Sequence, residues 1–527
     1  MRLRQRVAVI AAAAAAVGLG GVPQATAAEP VGNFITSPLS AEPGRMWQTD
    51  RVVWALAHSQ GVLYVGGSFN NVRPPGAAPG TDQTAQARLA AFDANTGAFI
   101  TSWRPTVTGG DVFALNVSPD GSRLYVGGNF ERVNGSFRNK AAAFDITNPR
   151  APQLLSVAQF GANLNGKVND IASSDEQVWL GGTFTRASGA TRGRVAAYDV
   201  PTGDLTPFNV QLDGATQFNA PFVSTLEERE GRLYIGGMFH QVNGVNSHAL
   251  GVLDAATGAN VPGFTVPYII PESYVVGLQE ADGRLYIVGR ADRTGGNLNR
   301  LEGVMAMNSQ TGQILWGTDR HRCYGDAFAM QVVHGVLWTA THAHDCGPIG
   351  GHPEASPRFY AAVLGQDPVT GELAHFYPEV AGSFSVSGSL NSTRALATDG
   401  NRLFVGGGFL RADGVGQQNL TFFDTGSPSA APLKIPATAT PSSTGGVRVT
   451  WPASADDDDR SLTYVVRRRN SSAAIATIVA DSTFWDRPQL SFTDTGVSSG
   501  ESVFYRVRVS DGDTSRLSNA SNTVTAP

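Results

Sequence analysis

The sequence has little cysteine, little lysine and little excess charge of either sign. It contains 2 cysteines among 527 residues, and its formal net charge at pH 7 is -5. Lysine occurs at Lys140, Lys167 and Lys434 alone. So mild a charge gives no electrostatic basis for binding a nucleic acid or an anionic membrane surface. We therefore expect no nucleic-acid partner.

Long apolar stretches are also missing beyond the N-terminus. A basic start, Met1–Arg6, precedes the apolar run Val7–Val22, and Ala-Thr-Ala follows at Ala25–Ala27. This order is typical of a secretory signal peptide, and the run is shorter than the roughly 20 residues that cross a bilayer. We expect removal of residues 1–28, which leaves a secreted, extracellular protein without a membrane span. A retained membrane anchor is the alternative.

The two cysteines, Cys323 and Cys346, are an even pair in a chain that we expect to be exported. A disulfide bond is the usual state of such a pair. By the loop-entropy argument it would contribute about 3 kcal/mol to the free energy of unfolding. Metal ligation or a catalytic thiol is the alternative.

A repeat with a period of about 50 residues fills most of the chain. One unit, Asp111–Asp145, reads as three short apolar strands separated by Pro-Asp-Gly and Val-Asn-Gly turns. Several units continue through Asp-x-x-Thr-Gly to a fourth strand. Four antiparallel strands per unit predict the blades of an all-β propeller. The second strands begin at Leu63, Leu124, Val178, Leu233, Leu285, Leu337 and Leu403.

The seventh unit stops after its third strand, Leu420–Asp424. The segment Asn33–Leu39 matches Ala98–Arg104, the fourth strand of the first unit. We expect this N-terminal strand to close the last blade, which would cover two exposed sheet edges. The prediction is a seven-bladed β-propeller over residues 29–426.

The unit Gly231–Gly258, with its Leu-Tyr-x-Gly-Gly-x-Phe-x-x-Val-Asn-Gly core, resembles the delta-60-type repeats of bacterial secreted β-propellers. The resemblance covers most of Val52–Asp424 and implies the propeller fold. It implies no activity, since that family has no general catalytic motif. Units five and six depart from the pattern at Leu285–Gly296 and Leu337–Gly347, which suggests one functional sector.

A Ser/Ala/Pro-rich linker, residues 427–437, follows the repeats. Residues 438–527 resemble a fibronectin type III domain, a β-sandwich whose core would contain Trp451 and Tyr505. The acidic run Asp456–Asp459 lies in one of its loops. We expect a solvated charged loop, with a calcium site as the alternative.

In a propeller, the connections that enter the inner strands lie on one face, opposite the tight turns. The long connections of units five and six belong to this face, which we expect to carry the site. Arginines there would bind carboxylates such as uronic acids bidentately; ordinary surface charge is the alternative. The candidate ligand-binding residues are Arg290, Asp292, Arg293, Arg320, His321, His342, His344 and His352.

His342 and His344 alternate along a predicted strand, and so their side chains point to one side. Together with Asp345 they are candidate metal ligands. Hydrogen bonding within a polar loop is the alternative. No third ligand is fixed by spacing.

Carboxylates near the channel mouth are candidate catalytic groups, because cleavage of a glycosidic bond uses a pair of them. Hydrogen bonding to nearby backbone amides is the alternative. The aromatic residues of the inner strands are expected in the core, namely Trp54, Phe113 and Phe328. The candidate catalytic residues are Asp326, Asp111, Asp170 and Glu272.

The chain contains no hydrolase, kinase or dinucleotide-binding motif. This favours a secreted binding or scaffold protein, a monomer that recognises an extracellular polysaccharide or a cell-surface partner. The alternative is a polysaccharide-active glycosidase or lyase with its site on units five and six. A quinone-dependent dehydrogenase is disfavoured because the tryptophan-docking pattern of that propeller class is missing. The residues identify no cofactor and leave open whether the protein is an enzyme.

Overall fold

The computed structural model describes residues 34–214, 220–266, 273–291, 301–317, 322–356, 360–378, 380–381, 393–412, 414, 416–426 and 431–527. Their regular structure is β-strand apart from one 3-10 helix, Gly347–Ile349, and they include no α-helix. The all-β prediction is confirmed. Within these residues no helix has the length and hydropathy to cross a membrane.

Seven antiparallel sheets follow one another along the described chain, and we number them 1 to 7. In each sheet an inner strand pairs with a second strand, which pairs with a third. Neighbouring inner strands contact one another, and the inner strand of sheet 7 contacts that of sheet 1. Every inner strand thus lies between two others. The inner strands are Val53–Ser59, Val112–Val117, Val168–Ser173, Phe222–Arg229, Ser273–Ala281, Ala327–Val333 and Thr393–Thr398.

The outer strands extend each sheet away from the inner strands. The second strands are Val62–Gly67, Arg123–Gly128, Gln177–Gly182, Arg232–Met238, Arg284–Ala291, Val336–Ala343 and Leu403–Gly407. The third strands are Leu89–Asp93, Ala141–Asp145, Val195–Asp199, Leu250–Asp254, Gly303–Asn308, Ala361–Gln366 and Leu420–Phe423. Fourth strands in sheets 2, 5 and 6 are Gln153–Leu154, Ile314–Trp316 and Leu373–Ala374.

Short β-ribbons form from the segments that lie between the strands of these sheets. They are Gln48–Thr49 with Asn71–Arg73 and Thr84–Ala85, Val107–Thr108 with Arg132–Val133 and Ser136–Phe137, Arg186–Ala187 with Ala190–Thr191, Leu212–Asp213 with Gln241–Val242 and Val245–Asn246, and Val380–Ala381 with Arg411–Ala412.

The repeated glycine pair is needed for packing between sheets. A Cβ atom on Gly66 would lie 2.5 Å from Cγ1 of Val112, on the inner strand of the next sheet. One on Gly67 would lie 2.3 Å from the carbonyl oxygen of Val52, beside its own inner strand. Both distances are far shorter than a van der Waals contact. The first glycine of each pair therefore makes room for a valine of the following sheet.

Sheet 5 has a larger residue in place of the first glycine, and the next inner strand has a smaller residue opposite it. Val288 occupies the position equivalent to Gly66, and the next inner strand begins with Ala327 instead of valine. Both residues are fully buried in one hydrophobic cluster. The exchange of a small and a large residue across the contact keeps the total volume nearly constant, which cores tolerate best.

The N-terminal segment does not pair as the sequence predicts. Phe34–Ile35 runs parallel to Leu373–Ala374 at the outer edge of sheet 6. The prediction that Asn33–Leu39 forms the fourth strand of sheet 7 is therefore wrong.

Residues a little further along the chain contact sheet 7 instead. The Ser40 N–H donates to the carbonyl oxygen of Asp424 (3.0 Å), and the Gly44 N–H donates to that of Phe422 (2.7 Å). A Cβ atom on residue 44 would overlap the Phe422 ring. Position 44 therefore has no room for a side chain, and glycine allows this segment to lie against the edge of sheet 7.

The C-terminal unit, residues 438–527, consists of two sheets and a short pair of strands around one core. Trp451 and Tyr505 are fully buried in that core, as expected. The Tyr505 hydroxyl donates to Asp494 Oδ2 at 2.9 Å. The strands are Thr438–Pro441, Val447–Pro452 and Gln489–Asp494; Ala474–Asp481, Ser461–Arg468, Tyr505–Ser510 and Ser515–Leu517; and Ser502–Val503 with Val524–Thr525.

The acidic run of this unit is not a solvated loop, so that prediction is wrong. Asp456 and Asp458 are 5% and 8% exposed. Asp458 Oδ2 accepts a hydrogen bond from the Ala41 N–H at 2.6 Å, and the Asp457 carbonyl oxygen accepts one from the Tyr377 N–H at 2.8 Å. The run is buried because the N-terminal segment and the end of sheet 6 pack against it.

Candidate functional site: the mouth of the central channel

Seven β-bulges place seven side chains around one cavity. Each inner strand has a register shift near its start, for example between Val53 and Ala55. A bulge redirects the side chain of its extra residue. All seven extra residues line a cavity of about 240 Å³. They are Trp54, Phe113, Asn169, Ser224, Val276, Phe328 and Arg394.

The expectation that Trp54, Phe113 and Phe328 belong to the core is therefore wrong. All three are half-buried and face the channel because of the bulges. An adjoining cavity of about 440 Å³ shares four of the bulge residues and is otherwise lined by Lys167, Thr183, Phe222 and Tyr274. The combined surface is aromatic on several sides, and we call it the channel mouth.

Two cations at the channel mouth lie over aromatic rings. The Arg394 guanidinium carbon is 3.9 Å from the Phe328 ring centroid and 5.8 Å from that of Trp54. Lys167 Nζ is 4.6 Å from the centroid of Phe113. Such contacts position a cation without neutralising its charge. In the described parts of the chain, neither cation forms an ion pair with a carboxylate.

Burial at the channel mouth lowers the pKa values of both cations. Burial, and after it the charge of nearby Arg290, lowers the pKa of Arg394 to about 10. Burial also lowers the pKa of Lys167. Arg394 therefore stays charged near pH 7. An anionic ligand would recover part of the desolvation penalty that both cations pay.

Sheets 5 and 6 contribute a triad of polar side chains, Asp326, Arg290 and His342, to the same region. Asp326 Oδ2 lies 2.9 Å from Arg290 Nε and 3.6 Å from His342 Nε2. Burial favours a higher pKa for Asp326, but the contacts with His342 and Arg290 outweigh it and lower that pKa. Asp326 therefore stays ionised. His342 also packs edge-on against Phe328, with ring centroids 5.7 Å apart.

Asp111 has a positioning role on the opposite part of the ring. Its Oδ1 lies 2.7 Å from Arg88 Nε, and its Oδ2 accepts a hydrogen bond from the Ser68 hydroxyl at 2.8 Å. That hydroxyl in turn accepts the indole N–H of Trp54 at 2.8 Å. The chain of contacts fixes Trp54 at the channel mouth.

Asp170 lies deeper and ties two neighbouring sheets together. Its carboxylate accepts the N–H of Ile171 at 2.9 Å and that of Leu226, on the next inner strand, at 2.8 Å. Burial raises the pKa of Asp170 to about 6, against the effect of these bonds. For Asp170, hydrogen bonding to backbone amides, the predicted alternative to catalysis, is therefore what the structure has. Glu272 lies outside the described residues.

The predicted metal ligands do not converge. His342 contacts Asp326, whereas His344 Nδ1 lies 3.8 Å from Glu354 Oε1. Asp345 Oδ1 accepts the Gly347 N–H at 2.9 Å. In the described parts of the chain these residues do not form a group of three donors able to share an ion.

The disulfide prediction is confirmed: Cys323 and Cys346 are bonded, with Cα atoms 4.1 Å apart. His352, a predicted ligand-binding residue, is fully buried beneath this bond. Its ring lies 6.2 Å from that of Phe484 and 6.1 Å from that of Trp485 in the C-terminal unit. His352 is therefore a contact between sheet 6 and that unit. The remaining predicted ligand-binding residues, Asp292, Arg293, Arg320 and His321, lie outside the described residues.

Sequence reasoning missed Lys167, Arg394 and the aromatic side chains of the channel mouth. One signal could have found the bulge residues. The preceding residue is valine in five of the seven units and the following residue is alanine in four, as in Val53-Trp54-Ala55, while the bulge residue itself varies from tryptophan to arginine. Variation at one position of a strict repeat suggests a surface that is not part of the repeated core.

Comparisons with known proteins give no family for this chain. No family model matches it, and no curated protein matches it. Among solved structures, it is similar to the computationally designed Ika8 protein, with a TM-score of 0.39 and 15% identity over 72% of this chain and 98% of that chain. It is also similar to a glycoside hydrolase family 43 arabinoxylan arabinofuranohydrolase from Bacillus subtilis, solved in complex with cellotetraose, with a TM-score of 0.25 and 11% identity over 92% and 94% of the two chains. At such low TM-scores neither likeness carries weight for fold or function.

Proposed function

We propose that this protein is a secreted binding protein whose channel mouth recognises an extracellular polysaccharide that carries carboxylates. The observation that carries the proposal is the pair of cations, Arg394 and Lys167, each over an aromatic ring at the cavity. The apolar faces of sugar rings pack on aromatic side chains. Carboxylates form charge-assisted hydrogen bonds with arginine. Neutral polysaccharides would leave both cations without a counter-charge.

The proposal includes a fold and a location. We take the seven sheets as the blades of a propeller of the delta-60 type over residues 29–426, which the successive contacts of the inner strands support. Residues 427–437 would be the linker to a fibronectin type III-like domain, residues 438–527. Residues 1–28 would be a signal peptide, and the mature protein would be an extracellular monomer.

An enzyme is the second candidate, with its site at sheets 5 and 6. The triad of Asp326, Arg290 and His342 favours a lyase over a glycosidase, because the ionised Asp326 is a poor general acid. In a lyase, a base removes the proton next to the uronate carboxylate, and a cation stabilises the resulting charge. The glycosidic C–O bond at the neighbouring carbon then breaks as the double bond forms, and the departing oxygen takes a proton from solvent. His342 would be that base and Arg394 that cation.

Binding to a panel of polysaccharides would test both candidates. We expect polygalacturonate and other polyuronates to bind, and neutral xylan and mannan not to bind, as measured by titration calorimetry. Arg394→Gln should weaken polyuronate binding roughly 10- to 100-fold, the contribution of a charge-assisted hydrogen bond. Arg516→Gln, at an exposed position of the C-terminal unit, is the matched control and should leave the affinity unchanged.

The same mixtures would be examined for new unsaturated ends by their ultraviolet absorbance. Ends that appear with the wild type and disappear in a His342→Gln variant would establish the lyase. Binding without new ends would support the binding protein. Equal affinity for neutral and acidic polymers would contradict both.

A further inference from the structure

The buried acidic run of the C-terminal unit places three carboxylates close together. Asp456, Asp458 and Asp459 each offer one oxygen atom, and these atoms all lie within 4.8 Å of one another. Two oxygens bound to one calcium ion at about 2.4 Å can be at most about 4.8 Å apart. The spacing is therefore compatible with a shared ion.

A second observation favours a ligand at this cluster. Asp456 is 5% exposed, and its Oδ2 atom is buried without a hydrogen-bond partner. Its Oδ1 accepts the N–H groups of Asp458 and Asp459, both at 3.1 Å. A buried carboxylate oxygen without a partner is costly. A cation among the three carboxylates would satisfy it.

Two other titratable side chains lie near the three carboxylates. Arg460 pairs with Asp481 at 3.3 Å. His375 Nε2 lies 3.0 Å from the Asp456 carbonyl oxygen.

We propose that Asp456, Asp458 and Asp459 bind a calcium ion at the junction between the C-terminal unit, the N-terminal segment and sheet 6. The ligand set is oxygen alone, which suits calcium and disfavours zinc or copper. The site is at a junction because Asp458 also accepts the Ala41 N–H, and Asp457 accepts the Tyr377 N–H. Calcium would hold the loop that joins the three parts. The proposal is independent of any ligand at the channel mouth.

Calcium titration of the full chain tests the site. Protein stripped with EGTA would be titrated with CaCl₂ at pH 7.5 by calorimetry, and thermal unfolding would be followed with and without the ion. We expect one calcium per chain and a rise in melting temperature of about 3 °C or more at saturation. Asp456→Asn keeps the Oδ1 acceptor and removes the charge, so calcium affinity should fall at least tenfold and the thermal shift should disappear.

Asp513→Asn, an exposed carboxylate of the same unit, is the control and should respond to calcium like the wild type. Asp459→Asn serves if Asp456→Asn does not fold, and it should also lose the response. No heat of binding, or an equal thermal shift in the variants, would overturn the proposal. A larger shift with MgCl₂ than with CaCl₂ would overturn the assignment to calcium. If a shared proton bridges the carboxylates instead, the wild type will not respond to calcium, and Asp456→Asn will be the more stable protein.

Discussion

Sheets 1 and 2 and sheets 5 and 6 hold equivalent positions in the repeat but use them differently. At the contact between sheets, Gly66 faces Val112 in the first pair, whereas Val288 packs with Ala327 in the second. Ser68, the residue after the glycine pair, binds the acid that precedes the next inner strand, and Arg290 does the same at the equivalent position of sheet 5. The repeat therefore fixes positions and contacts but not residue types.

The chemical outcome of these contacts differs between the two pairs. Asp111, with Ser68 and Arg88, positions the tryptophan of the bulge, Trp54. Asp326 instead holds Arg290, with His342 beside it. The first pair thus presents an aromatic surface and the second pair presents charge. A ligand with both sugar faces and carboxylates would use both.

Loss of the disulfide should cause the largest decrease in unfolding free energy. This bond occurs in sheet 6 and has no counterpart in sheets 1 and 2. Replacing Cys323 and Cys346 by serine should lower the free energy of unfolding by about 3–4 kcal/mol. Urea unfolding would measure it. Reducing agent should destabilise the wild type by a similar amount and leave the variant unaffected. A variant as stable as the wild type would show that the bond does not constrain the unfolded chain.

The next largest effect on unfolding free energy should come from giving sheets 1 and 2 the packing residues of sheets 5 and 6. Gly66→Val overpacks the contact with Val112 and should cost about 3 kcal/mol. Adding Val112→Ala recreates the arrangement of sheet 5 and should recover more than about 1 kcal/mol relative to additive effects. Thermal unfolding of the two single variants and the double variant measures this coupling. Strictly additive losses would contradict the compensation that we infer from Val288 and Ala327.

The strand pattern of the fold could be predicted because its signals are local. Apolar runs and Gly/Asn/Asp turns mark each strand, and Trp451 and Tyr505 lie in alternating patterns that identify a core. The bulges could not be predicted from a single unit, because Val53-Trp54-Ala55 reads as a continuous apolar run; comparison of the seven units was needed. An inserted residue changes the face on which a side chain lies without changing the composition.

Contacts between distant parts of the chain were also beyond the sequence pattern. Asp458 is buried by Ala41, which is 417 residues away, so its composition alone suggested an exposed loop. His352 looked like a polar loop residue, yet the C-terminal unit covers it. The disulfide was the exception, since two cysteines allow one pairing. Long-range burial, in contrast, depends on which surfaces meet.

Acid should weaken the contact between sheet 6 and the C-terminal unit, which has no counterpart in sheets 1 and 2. Burial lowers the pKa of His352 to about 4, below its unfolded value of about 6.5. The stability that depends on neutral His352 is therefore present above pH 6.5 and is lost as the pH falls towards 4. By pH 5 the loss should be about 2 kcal/mol.

Urea unfolding between pH 7 and pH 4.5 would measure this loss. His352→Gln should flatten the pH dependence, whereas the control His334→Gln, at an exposed position, should retain it. An unchanged pH dependence in His352→Gln would exclude this histidine as the source. Asp456 acts in the opposite direction, because its pKa is raised to about 8 and the folded protein therefore binds more protons than the unfolded chain between about pH 4 and pH 8.

The smallest effect is expected from Ser68→Ala, which loosens the aromatic surface of sheets 1 and 2 without changing charge. Loss of the Ser68 hydroxyl leaves the Trp54 indole N–H and one Asp111 oxygen with one contact fewer, at a cost of about 1 kcal/mol in unfolding free energy. If Trp54 contacts the ligand, the affinity for polyuronates should fall about threefold, equivalent to roughly 0.6 kcal/mol. Arg394→Gln should fall further under the same conditions, because it removes a charge and not only the support of a ring. A larger effect from Ser68→Ala than from Arg394→Gln would make the aromatic surface, and not the cations, the main determinant of binding.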